Sequence, residues 1–234
     1  TLPVLVLFAG DHRGRQSSVA IKVRARGRAA VEIDILGNDS SHDMQVPANQ
    51  QRVRDMLTQR RVSGFHVAIP CSSVTVLGTQ MRSLALDKVR GIDGLSPRMQ
   101  AIVDAGNVLI DFSIECIWLA YHANVTITGE FPCFRGAKGV PPLRAYWPEK
   151  SDYPTAEHFP SLAEFIATAN ATVNRLPGCF LGYDPQKYLS VLTWPACVTR
   201  RFAHLNGAEC MHTSHSTIAT GSEATRSAVY APAL

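Results

Sequence analysis

Residues 3–10, PVLVLFAG, decide the fold. The run from Pro3 to Phe8 is apolar, rich in β-forming residues, and stopped by Gly10. That pattern predicts a buried strand followed by a turn. A small residue and a glycine after such a strand let the backbone approach a ligand closely. The turn continues Asp11-His12-Arg13-Gly14, so it is not the Gly-x-Gly-x-x-Gly of dinucleotide-binding proteins.

Working outward, Gln16 to Arg26 places Val19, Ala20 and Val23 at helical spacing with basic residues between them. Ala30 to Leu36 predicts a second strand, Gln50 to Arg61 a charged helix, and Phe65 to Ile69 a third strand stopped by Pro70. Cys71 to Leu95 has loop composition. Ser96-Pro97 then has the form of a cap with proline at the first helical position, opening a long helix over Arg98–His122. Val125 to Thr128 predicts a strand, the proline-rich stretch 131–160 an irregular surface excursion, and Ser161 the cap of a helix reaching about Val173. Short strands are expected near Cys179–Leu181 and Leu189–Trp194, and 202–234 reads as a C-terminal tail. Alternating strands and helices imply one α/β domain over 1–234, with a mostly parallel sheet and helices on both faces. Ligands of such sheets bind outside the carboxyl ends of the strands.

Composition narrows the function classes. No apolar run reaches the ~18 residues a membrane span needs, and the start lacks the basic residues of a signal peptide. The expectation is therefore an intracellular protein, nuclear or cytoplasmic, with no membrane partner. On that expectation the glycosylation-type triplets at Asn38, Asn124 and Asn170 carry no meaning. Six scattered cysteines without a Cys-x-x-Cys pair point to a reduced compartment. The formal net charge is +4, and many arginines fall in the first 61 residues. This suits an anionic partner such as nucleic acid, although a solvated basic face explains the charge equally well. His204, Cys210, His212 and His215, with Cys197 upstream, match no zinc module by spacing, so a polar tail is expected and no metal is assigned.

The chemistry-bearing residues follow the strands. Asp34, 24 residues beyond Gly10, could accept hydrogen bonds from both hydroxyls of a ribose, or could simply close a turn. Ile35 lies beside it. Asp43-Met44 could hold an adenine ring. Cys71 follows Pro70 at a strand end and could act as a nucleophile toward an electron-poor carbon, against the commoner fate of a buried structural cysteine. Glu130-Phe131-Pro132 follows the next strand.

Phe-Ala-Gly, an acid after the second strand, Asp-Met, Pro-Cys and Glu-x-Pro, in that order, resemble the cytosine-5 DNA methyltransferases. The resemblance implies a Rossmann-like class I methyltransferase sheet and S-adenosylmethionine as cofactor. It implies a cofactor loop at Phe8, Ala9 and Gly10, ribose binding by Asp34, adenine recognition by Asp43, and a catalytic Pro70-Cys71. Cys71 would add to the 6-position of a flipped cytosine, while Glu130 holds its ring nitrogen and amino group. Flipping is required because the target atoms are inaccessible inside a duplex. A looser resemblance, to methyltransferase-like domains of eukaryotic mobile elements and of algal or viral polyproteins, rests on Arg13 and Ser17, Pro70-Cys71-Ser72, Gly106-Asn107, Trp147-Pro148, Cys179-x-x-Gly182 with Lys187, and Tyr230-x-Pro232-x-Leu234.

The chain departs from the cytosine-5 pattern in three places. The cofactor loop carries bulky Asp11-His12-Arg13, Phe131 stands where those enzymes have asparagine, and no Gln-x-Arg-x-Arg motif is present. A catalytically inactive module of the same fold, binding nucleic acid or serving as an interaction domain, is the second expectation. A methyltransferase acting on RNA or a small molecule is the third.

Overall fold

The computed structural model describes residues 1–8, 18–34, 40–71, 73–74, 80–134, 153–177, 188–204 and 206. Six strands form one mixed sheet: β1 (Val4–Leu7), β2 (Ala30–Ile33), β3 (Gly64–Ala68), β4 (Thr126–Pro132), β5 (Thr172–Pro177) and β6 (Tyr188–Trp194). Their order across the sheet is β2-β1-β3-β4-β6-β5. The pairs β1/β2, β1/β3 and β3/β4 are parallel, whereas β6 is antiparallel to both β4 and β5. Five strands therefore run one way and β6 runs against them. The expected α/β class and mostly parallel sheet are found; the reversed β6 was not expected.

Strand periodicity sorts the side chains to two faces. Leu5, Leu7, Ile33, Phe65, Val67, Ile127 and Phe131 enter the larger core cluster, packed with α2 (Pro47–Thr58), α3 (Pro97–His122) and α4 (Pro160–Thr168). Val6, Leu176, Leu189 and Val191 face the other way, toward Ala20 of α1 (Ser18–Ala25) and Phe202 of α5 (Ala196–Phe202). The sheet is thus the middle layer of three.

α3 starts as its sequence signals: Ser96 Oγ accepts the Met99 amide at 3.4 Å and Pro97 opens the helix. α4 does not. Phe159 is its N-cap, Pro160 its first residue, and it stops at Thr168 instead of running to Val173. The chain reverses at Asn170, whose φ is 49°, and β5 begins where helix was expected. The strand expected at Cys179–Leu181 lies outside the described residues. The excursion expected over 131–160 is also narrower: β4 runs to Pro132, and Tyr153, Ala156 and Phe159 are buried in the molecule.

Four helices end in one motif. After α1, α2, α3 and α4, a residue with positive φ donates its amide two residues inside the helix end, and the next amide reaches one residue further in. The turning residues are Gly27, Arg60, Asn124 and Asn170. Each turn delivers the chain into the next parallel strand at the amino-terminal edge of the sheet.

His66 lies on β3 opposite Thr128 of β4, with Nδ1 2.9 Å from the Thr128 hydroxyl. Burial lowers its pKa from 6.5 to about 4. The unfolded chain therefore takes up a proton that the folded chain refuses, so stability falls as pH drops from about 6.5 to 4. The expected loss is about 3 kcal/mol, read as a fall in the urea midpoint. His66→Asn, which keeps a polar atom near Nδ1, should flatten that acid limb. An unchanged limb in the variant would assign it to other groups.

Candidate functional site

The order β2-β1-β3 places the switch in strand order between β1 and β3, since the chain leaves β1 first to one side and then to the other. The carboxyl ends of β2, β1, β3 and β4 meet there side by side. Asp34, Phe8 and Pro70-Cys71 follow β2, β1 and β3, whereas Glu130, expected just after its strand, lies within β4, which continues to Pro132. Ala9, Gly10 and Ile35 lie outside the described residues.

Phe8 leaves β1 with φ 59°, a left-handed conformation that is uncommon for a bulky residue. Its amide donates to Ile33 O at 3.0 Å, so the turn leaves the sheet only after completing the ladder to β2. Asp34 is half-buried at the end of β2. Its backbone is held from a second segment, with His42 Nδ1 3.3 Å from Asp34 O and 3.5 Å from Asp34 N. Asp43, a residue further on, folds its carboxylate back onto the Gln45 amide at 2.9 Å. Met44 is 1% exposed and belongs to the core, so its side chain is used by the fold and not by an open ligand surface. The adenine-facing role expected of it is corrected on that ground.

Cys71, just beyond β3, and Glu130, inside β4, are carried by neighbouring strands. Ala68 stands opposite Glu130 in the β3/β4 register, and the Ile69 amide donates to Glu130 O at 2.8 Å. Cys71 is two residues beyond that hydrogen bond. It is exposed and not in a disulfide, as are Cys116, Cys133 and Cys197 with respect to disulfides, whereas Cys116 and Cys133 are buried. Its carbonyl accepts the Val74 amide at 3.0 Å, which curls the chain after Pro70 into a tight turn. Glu130 is half-buried and alternates onto the face of Thr128, the α1 side of the sheet. Phe131 points the other way and is 2% exposed in the core.

The turn carrying Cys71 is anchored from below by a residue that sequence reading passed over. Arg82 is 0% exposed. Its Nε donates to Ser73 O at 2.8 Å, Nη1 to Val89 O at 2.6 Å and Asn107 Oδ1 at 2.9 Å, and Nη2 to Ser73 Oγ at 2.9 Å and Val103 O at 3.4 Å. All five guanidinium protons are thereby used. Burial lowers its pKa to about 10, with the Tyr153 hydroxyl opposing the shift and Arg90 adding to it, so it is charged at neutral pH. The Phe159 ring lies 5.4 Å from its guanidinium carbon and 5.7 Å from that of Arg90. Arg90 is itself paired with Asp111 through two bonds, at 2.9 and 2.6 Å. Gly106 on α3 is what lets the loop come this close, because a Cβ there would stand 2.3 Å from Ser73 Oγ. The available signal was the arginine in a Ser/Thr-rich loop together with Gly106-Asn107 in the following helix.

Among the described residues no group of three His, Cys, Asp or Glu could hold a metal ion; of the His/Cys cluster read in the tail, only Cys197 and His204 are described. Among the same residues no helix is long and apolar enough to cross a membrane. No family model, curated protein or solved structure matches the chain.

Proposed function

We propose that the chain is an S-adenosylmethionine-dependent methyltransferase with a class I sheet, acting on cytosine in DNA with Cys71 as nucleophile. The observation that carries the reading is the Ile69–Glu130 hydrogen bond, which ties the segment entering the Pro70-Cys71 turn to Glu130 of the neighbouring strand β4. The α/β sheet, with five strands running one way, is compatible with it.

The described residues suit the cofactor in part. Asp34 offers an acceptor for ribose hydroxyls, and Phe8 takes a left-handed conformation at the end of the adjacent strand. Met44 offers nothing from its buried side chain. When bound, the cofactor supplies an electrophilic methyl group. The Cys71 thiolate adds to C6 of the base, forming a carbon–sulfur bond and making C5 nucleophilic. Glu130 holds the ring nitrogen and the amino group. Once C5 carried the methyl group, loss of its proton to solvent would expel the thiolate and restore the ring.

Calorimetry tests the cofactor site. Wild type should bind S-adenosylmethionine, and Asp34→Ala should weaken binding by about 1.5–3 kcal/mol, the worth of hydrogen bonds to a charged group. Absence of heat at millimolar ligand in the wild type ends the active-enzyme reading. A second reading, an inactive module of this fold that binds nucleic acid, is favoured by Phe131. Its burial leaves no polar side chain directly after Glu130 to share the base.

A further inference from the structure

We infer that the amino-terminal edge of the sheet, opposite the candidate site, carries a second face that binds a nucleic-acid phosphate backbone, built from Arg26, Arg28, Arg60 and Arg61. These residues occupy two loops, one entering β2 and one entering β3, on either side of the start of β1. The loops form one surface. Arg28 donates to the Ser63 hydroxyl, Ser63 Oγ donates to Leu2 O at 2.9 Å, and the Ser63 amide donates to Pro3 O at 2.9 Å.

All four arginines are exposed. Elsewhere Arg24, Arg54, Arg90 and Arg175 each hold a carboxylate. The four edge arginines have no such ion pair among the described residues, and neither 26–29 nor 59–63 contains an acid. Strands two apart are separated by about 10 Å, roughly the rise of three phosphates along one strand of a duplex. Loops at that spacing present their arginines over a length comparable to a few phosphates, which arginine engages through paired N–H donors.

Arg60 adds an independent observation. It takes the left-handed position of the α2 closing turn with φ 52°, where the equivalent turns use glycine or asparagine. A long side chain is disfavoured there, and glycine is the residue the backbone prefers. The sequence places a charge at a position where local stability favours glycine. Parallel strands of four to five residues put this edge about 15 Å from the Cys71 end, so a duplex presented to Cys71 does not reach it. The face therefore does not depend on the methyltransferase reading.

The test is fluorescence anisotropy of the full chain with a labelled DNA duplex across a salt series. Four phosphate contacts give a slope of log K against log salt of about −3.6, a loss of roughly a hundredfold between about 50 and 200 mM. The variant Arg26→Gln/Arg28→Gln/Arg60→Gly/Arg61→Gln should bind at least tenfold more weakly at low salt, with the slope shallower by about 3. Arg60→Gly alone should weaken binding while its melting temperature holds or rises, which separates loss of charge from loss of fold. The quadruple variant should keep the wild type's S-adenosylmethionine heat, and Asp34→Ala should keep duplex binding. A quadruple variant with the wild-type slope overturns the proposal, as does a chain that binds phosphatidylserine vesicles but not the duplex.

Discussion

Arg82→Met should cost about 3–5 kcal/mol, the range for breaking a buried charged network, and should lower the urea midpoint with little change in slope. Methionine fills most of the aliphatic volume, so the loss measures polar groups. The carbonyls of Ser73, Val89 and Val103 and the amide oxygen of Asn107 would each lose a donor in a site closed to bulk water. Arg82→Lys should recover only part, since an ammonium has three protons and no planar fork. Gly106→Ala attacks the same network from the helix side by forcing Ser73 Oγ away from its arginine. Because both changes break one network, the double variant should cost less than the sum of the singles. A loss under about 1 kcal/mol for Arg82→Met, or strict additivity, would show that the loop is held in some other way.

That network marks where sequence reading stops. Most of Arg82's acceptors are backbone carbonyls, which no residue pattern reports. A loop rich in Ser and Thr also reads as solvent-exposed, not as the shell around a buried charge. The segment 153–159 misled for a similar reason: it closes a proline-rich stretch that suggests surface, but Tyr153 and Phe159 are buried, Phe159 against the arginine. By contrast β1, β3 and the start of α3 were legible, because apolar runs and the Ser96-Pro97 cap are local signals with local causes. The end of α4 was not. Apolar spacing runs on past Thr168, and the stop depends on Asn170 taking positive φ, which asparagine tolerates but does not require. The reversed direction of β6 is a matter of pairing between distant segments, invisible to periodicity. The rule that ligand-bearing residues of such sheets follow their strands picked out Asp34 and Pro70-Cys71, which do follow β2 and β3. It also picked out Glu130, which instead lies inside β4 because that strand runs on to Pro132. It does not say what they do.

What they do is decided at Cys71. A DNA duplex carrying a fluorinated cytosine should form a covalent adduct with the wild-type chain in the presence of S-adenosylmethionine, seen as a band resistant to denaturing electrophoresis. Fluorine at C5 cannot leave as the proton does, so the thiolate that added to C6 stays bound. Cys71→Ser should abolish the adduct, because a serine hydroxyl is a far weaker nucleophile at neutral pH without an adjacent base. Cys71 is exposed, so the change removes little packing and the variant should keep the wild-type melting temperature. Glu130→Gln should slow adduct formation by about 10²–10⁴-fold, the usual worth of a positioned acid–base group, while leaving duplex binding intact. The register is compatible with this pairing of roles, since Glu130 O accepts the amide two residues before the thiol. If wild type binds cofactor and duplex yet forms no adduct, the inactive-module reading replaces the enzyme. Phe131 is then the first position to change: Phe131→Asn would supply the amide that the cytosine-5 pattern places beside the acid, at the cost of a core aromatic that is 2% exposed. Recovery of an adduct in that variant would mean that the scaffold still aligns Cys71 and Glu130, and that one side chain separates a binding module from a catalyst.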